Sequence, residues 1–89
     1  MPSLELLVLR CDDLERTRSF YETLGLIFTA EQHAPGPKHY SAKLGALVLE
    51  LYPASAKHQP ERGLRLGFTG TKPGQHMDPD GRIVQVSQE

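Results

Sequence analysis

The sequence predicts an α+β fold: a complete βαβββ module over residues 1–53, then an abbreviated second module without a helix over residues 63–89, all within one domain spanning 1–89. Three observations predict it. Apolar runs of strand length recur along the chain, only one window carries the 3.6-residue period of a helix, and a polar stretch with two prolines separates the two groups of strands. A chain of 89 residues supports one core and no more, since a domain this small buries only about 60–65% of the surface its unfolded form exposes.

The elements follow in order. Leu4 to Cys11 (LELLVLRC) is an apolar run of strand length that ends at Asp12 and Asp13. Either aspartate can cap the next segment, where Leu14, Thr17, Arg18, Phe20, Tyr21 and Leu24 recur at helical spacing and Gly25 supplies the stop, so a helix is predicted over Leu14 to Leu24. Leu26 to Gln32 reads as a strand, and Ala34 to Pro37 (APGP) as a turn that no regular element crosses. His39 to Leu44 and Ala46 to Tyr52 form a hairpin about Leu44-Gly45. Pro53 to Arg62 reads as a solvated linker, including Glu61. Leu64 to Thr69 is a strand, Gly70 to Gly74 a break, and Arg82 to Ser87 a last strand entered through the turn Asp78-Pro79-Asp80-Gly81. Residues 71–77 carry no readable element.

Composition narrows the function classes. With 38% hydrophobic and 24% charged residues the chain is of ordinary globular type, and a net charge of −1 provides no basic field for nucleic acid or an anionic membrane surface. The single cysteine, Cys11, forms no internal disulfide and has no neighbouring base in sequence, so a buried, inert thiol in a cytoplasmic protein is expected. No apolar run reaches the length of a signal-peptide core or a membrane span. The four histidines show no zinc-type spacing, and His33, His58 and His76 read as solvated loop residues.

The string LRCDDLERTRSFYETLGL (Leu9 to Leu26) resembles the opening of vicinal oxygen chelate domains, the glyoxalase, bleomycin-resistance and dioxygenase superfamily. HYSAKLG (His39 to Gly45), LVLELY (Leu47 to Tyr52), GLRLGF (Gly63 to Phe68) and DPDGRIVQV (Asp78 to Val86) resemble the later strands in the family's order, with the second module's helix and most of its middle hairpin missing. The resemblance implies two modules cupped around a central site, where family enzymes hold a divalent metal that acts as a Lewis acid or activates dioxygen. It places the four ligand positions on Leu6, Glu50, Arg65 and Gln85. Only Glu50 and Gln85 can donate there, because Leu6 has no lone pair and Arg65 is a permanent cation. No metal cofactor is therefore expected; were a divalent ion present, Glu50 and Gln85 would be its ligands.

Strand alternation sorts the remaining side chains. Leu6, Val8 and Arg10, then Val48, Glu50 and Tyr52, then Arg65, Gly67 and Thr69, then Ile83, Gln85 and Ser87 share the polar face, while Leu47, Leu49, Leu51, Leu64, Leu66, Phe68, Val84 and Val86 share the apolar one. Of His39 and Tyr40 one must join the polar face. The predicted ligand-binding set is thus Arg10, His39, Tyr40, Glu50, Tyr52, Arg65 and Gln85, suited to a small anionic or polar molecule, with an internal ion-pair network as the alternative role for Arg10, Glu50 and Arg65.

The leading functional expectation is a small-molecule-binding protein without a catalytic metal. A metal-dependent lyase, isomerase or dioxygenase, with His39 as base, and a non-catalytic interaction subunit are the alternatives. With no second helix, the apolar face of the second module is expected to lie bare, which predicts a homodimer or higher homo-oligomer.

Overall fold

The computed structural model describes Met1–Glu89 as one helix and seven strands in two mixed sheets. The strands are β1 (Leu6–Cys11), β2 (Thr29–Glu31), β3 (His39–Leu44), β4 (Leu47–Pro53), β5 (Arg65–Gly70), β6 (Gly74–Met77) and β7 (Ile83–Gln88), and the helix is α1 (Leu14–Thr23). The first sheet has the order β1-β4-β3-β2 and the second β5-β7-β6. Each has one parallel pair at an edge, β1 with β4 and β5 with β7, so the second module repeats the scheme of the first without a helix.

Asp13 is the N-cap of α1, its carboxylate accepting from the Arg16 amide at 3.0 Å. Gly25 takes φ +104° just past the helix, a conformation that glycine alone adopts without strain. The β1 register confirms the reading of its faces: Val8 lies opposite Glu50 and Arg10 opposite Tyr52. β6, which the sequence did not announce, is a short strand of Gly74, Gln75, His76 and Met77 held by antiparallel pairing with β7.

One core serves both modules. Leu9, Cys11, Tyr21, Leu24, Leu49 and Leu51 form a single buried cluster with Val84 and Val86, and Leu64, Leu66 and Phe68 pack against it. The expectation of a bare second sheet is overturned for Val84 and Val86, 0% and 3% exposed, whereas Leu64, Leu66 and Phe68 are only partly buried. A single helix covers both sheets. Tyr21 reaches Phe68 with ring centroids 6.4 Å apart, the Leu24 carbonyl accepts from the Thr71 amide, and Gly70 passes so close to that carbonyl that a Cβ there would sit 2.5 Å from it. The apolar faces of the two sheets are turned toward this common core, and their polar faces point away from it.

The second module is locked in place by charge. Arg82, 0% exposed, pairs with Asp78, Asp80 and Glu61 at 2.7, 3.1 and 2.6 Å and donates to the Arg10 carbonyl. Glu61, read from sequence as a solvated linker residue, also accepts from the Arg10 amide at 3.3 Å, so it ties the linker to both β1 and β7.

Candidate functional site

The polar face of the first sheet gathers Arg10, His39, Glu50 and Tyr52. Pairing of β3 with β4 and of β2 with β3 sets Ser41 opposite Glu50 and Glu31 opposite His39, so all four strands contribute to one surface. Its centre is a stack of three side chains. The Tyr52 ring lies parallel to His39 at 4.2 Å and 9°, and the Arg10 guanidinium sits 4.9 Å from the Tyr52 centroid. The Tyr52 hydroxyl is 3.3 Å from His39 Nε2, and Glu50 Oε2 is 4.0 Å from the same nitrogen. A guanidinium over an aromatic face can still offer N–H donors to a carboxylate or phosphate.

Tyr40 does not belong to this surface. The side-chain alternation that places His39 on the polar face, buried there against Tyr52, turns Tyr40 toward the helix, where its hydroxyl donates to Glu15 at 2.6 Å. That hydrogen bond, the largest influence, holds the Glu15 carboxyl below its ordinary range. Arg18 and Lys38 flank the Tyr40 ring at 5.3 and 5.2 Å.

Arg65 and Gln85 sit on the other sheet. Their side chains meet across β5 and β7, Arg65 Nη2 donating to Gln85 Oε1 at 3.0 Å, above an open depression of about 410 Å³ lined also by Gly67, Thr69 and Ser87. No cavity brings Arg65 or Gln85 together with Arg10, Glu50 or Tyr52. Within one chain the seven predicted residues are thus split. Four share the first sheet's polar face, two share the second's, and Tyr40 faces the core.

The family's metal position fails a test of fit on the same geometry. Leu6 is half exposed at the start of β1 and offers no donor, Arg65 occupies another ligand position with a fixed positive charge, and Gln85 is already engaged as its acceptor. Glu50 alone remains free, and a divalent ion is not held by one carboxylate.

Two arrangements escaped sequence reading. An apolar cavity of about 460 Å³ opens between the sheets, lined by Leu7, Leu47, Leu49, Leu64, Leu66 and Phe68 among others. His33, read as an isolated loop histidine, approaches His39 with ring centroids 5.5 Å apart. The signal for this contact lay in the β2–β3 hairpin register rather than in any linear spacing. Cys11 matches its reading: it is 1% exposed, and burial pushes its thiol up to about 11.

Residues 3–84 match the sequence profile of the Glyoxalase/Bleomycin resistance protein/Dioxygenase superfamily, and the chain belongs to that family. No curated protein matches it. Among solved structures it is similar to TnmS3, an antibiotic-binding protein from a Streptomyces strain, at 22% identity and a TM-score of 0.68, covering 99% of this chain and 96% of that one. It is also similar to an integron cassette protein of V. cholerae (19%, 0.65, covering 99% and 95%) and to lactoylglutathione lyase from Agrobacterium tumefaciens (19%, 0.64, covering 97% and 92%). At these identities the likenesses establish the fold.

Proposed function

We propose that this protein binds a small anionic or polar molecule without metal chemistry, the ligand lying against the polar face of the first sheet. The observation that carries this reading is the Arg10–Tyr52–His39 stack, a guanidinium over the Tyr52 ring, itself stacked on the buried His39, on the polar face of the first sheet. The superfamily includes binding proteins as well as enzymes, and the antibiotic-binding neighbour favours the former class.

The surface is half of a cup, which supports a homodimer for a reason other than the one sequence suggested. The polar faces of the two sheets point away from a shared core, so neither encloses a ligand by itself. A two-fold pair closes both: the first sheet of one protomer faces the second sheet of its partner, and an isologous contact generates two equivalent sites. Arg65 and Gln85 then complete the set begun by Arg10, Glu50 and Tyr52. In that arrangement the Arg65 charge replaces the metal of the catalytic relatives as counter-ion to Glu50 and to an anionic ligand.

Titration of an anionic ligand found by screening tests the reading. Arg10→Ala and Arg65→Ala should each weaken binding by about 1.5–3 kcal/mol, the scale of a hydrogen bond to a charged group. Unchanged affinity in both variants contradicts it.

A further inference from the structure

Pairing of β2 with β3 sets Glu31 directly opposite His39, and Ala34-Pro35-Gly36-Pro37 closes the hairpin so that His33 folds back over the same edge. The Gly36 amide donates to the His33 carbonyl and fixes that turn. The result is a group of one carboxylate and two imidazoles whose ligand atoms all lie within 4.8 Å of one another.

The histidine at its centre is almost fully enclosed, with its side chain 2% exposed. Its Nδ1 lies 3.2 Å from the Pro37 carbonyl, which can only accept, so the proton belongs on Nδ1 and Nε2 carries the lone pair. That lone pair faces Glu31 Oε1 at 3.3 Å and Glu50 Oε2 at 4.0 Å, both of them acceptors, with one Tyr52 hydroxyl proton to share among them. Converging acceptors around a buried imidazole call for positive charge between them, which a second ring proton or a metal ion supplies. The tautomer lock from a backbone carbonyl is the arrangement that orients metal-ligating histidines.

We propose that Glu31, His33 and His39 form a binding site for a divalent transition-metal ion, zinc by the chemistry of the set. Two imidazoles and a carboxylate suit zinc, whose bonds of about 2.0–2.1 Å place tetrahedral ligand atoms roughly 3.3 Å apart. Glu31 and His39 already hold that spacing, and the exposed His33 side chain needs only to rotate inward to close the third side. The Tyr52 hydroxyl and the Glu50 carboxylate lie on the same side, 3.3 and 4.0 Å from His39 Nε2. This centre lies at the β2–β3 edge and takes none of its three ligands from the family's metal positions; it shares His39 with the ligand surface above, and a titration with zinc alone separates the failure of one reading from the failure of the other.

The test is calorimetric titration of zinc chloride into the full chain after treatment with chelator. One zinc per chain at micromolar affinity or tighter is expected, with Glu31→Gln and His33→Ala each weakening it at least about tenfold and the double variant abolishing it. Both residues lie at the surface, and circular dichroism checks that the variants fold. His58→Ala and His76→Ala should bind as the parent does. Failure to bind zinc, binding that survives the Glu31→Gln, His33→Ala pair, or loss in the His58 or His76 variants overturns the proposal.

Discussion

The Arg82 guanidinium and the Asp78 carboxylate form an ion pair in which neither side chain is exposed, Nε to Oδ2 2.7 Å. The loop before β7 folds around it: Asp78 also accepts from the Asp80 and Arg82 amides and from the Tyr21 hydroxyl of the helix. Although burial works against its charge, the hydrogen bond and charge of Asp78 hold Arg82 protonated above its ordinary range. Removing one member leaves the others buried without a counter-ion. Arg82→Met should cost about 3–5 kcal/mol in urea unfolding. A loss under 1 kcal/mol would show that the pair does not secure the second module.

Tyr21 links α1 to this network through its 2.7 Å hydrogen bond to Asp78 Oδ2. Tyr21→Phe keeps the ring between both sheets and deletes only the hydroxyl, so the loss should be about 1–3 kcal/mol. Glu61→Ala should also destabilise, since it strips an acceptor from both Arg82 and the Arg10 amide. A stability equal to the parent's for Glu61→Ala would return that residue to a solvated linker.

Cys11 gives a pH signature. Its thiol is pushed up to about 11 by burial, from 9.0 in an exposed chain. Between those values the unfolded chain loses the proton and the folded protein keeps it, so stability present below pH 9 falls as pH rises toward 11. Tyr21, also pushed up by burial, adds to the decline above pH 10. Cys11→Ala should flatten the pH 9–10 portion of the profile measured by urea unfolding. An identical slope in the variant rules the thiol out as its source.

Assembly follows from the two outward polar faces. Sedimentation equilibrium at micromolar concentration should give twice the 9.9 kDa chain mass. Leu6→Glu, at an exposed position on the first sheet's polar face, should shift the protein toward monomer while leaving it folded. A parent protein that stays monomeric throughout contradicts the paired-site arrangement.

Much of this architecture is written in local patterns. Alternation assigned Leu49, Leu51, Val84 and Val86 to the core and Arg10, Glu50 and Tyr52 to the polar face, because a pleated strand leaves no other choice once its register is fixed. What escaped was non-local. Nothing in Asp78-Pro79-Asp80-Gly81-Arg82 announces that the arginine turns inward, since its acceptors come from the linker and the same loop together. That one helix would cover two sheets depends on how the modules dock, which has no linear signature. β6 is polar and begins with glycine, so pairing with β7 rather than propensity forms it. The nearness of His33 to Glu31 and His39 required the hairpin register.

Ligand is expected to bind at the Arg10–Tyr52–His39 surface. Amide chemical-shift mapping during titration with a library of small carboxylates and phosphates tests it most directly. Perturbed amides should cluster at Arg10, His39, Glu50 and Tyr52, with Arg65 and Gln85 joining as the partner's contribution. Shifts confined to Leu7, Leu47, Leu64 and Phe68 around the apolar cavity, or none at millimolar ligand, would contradict it.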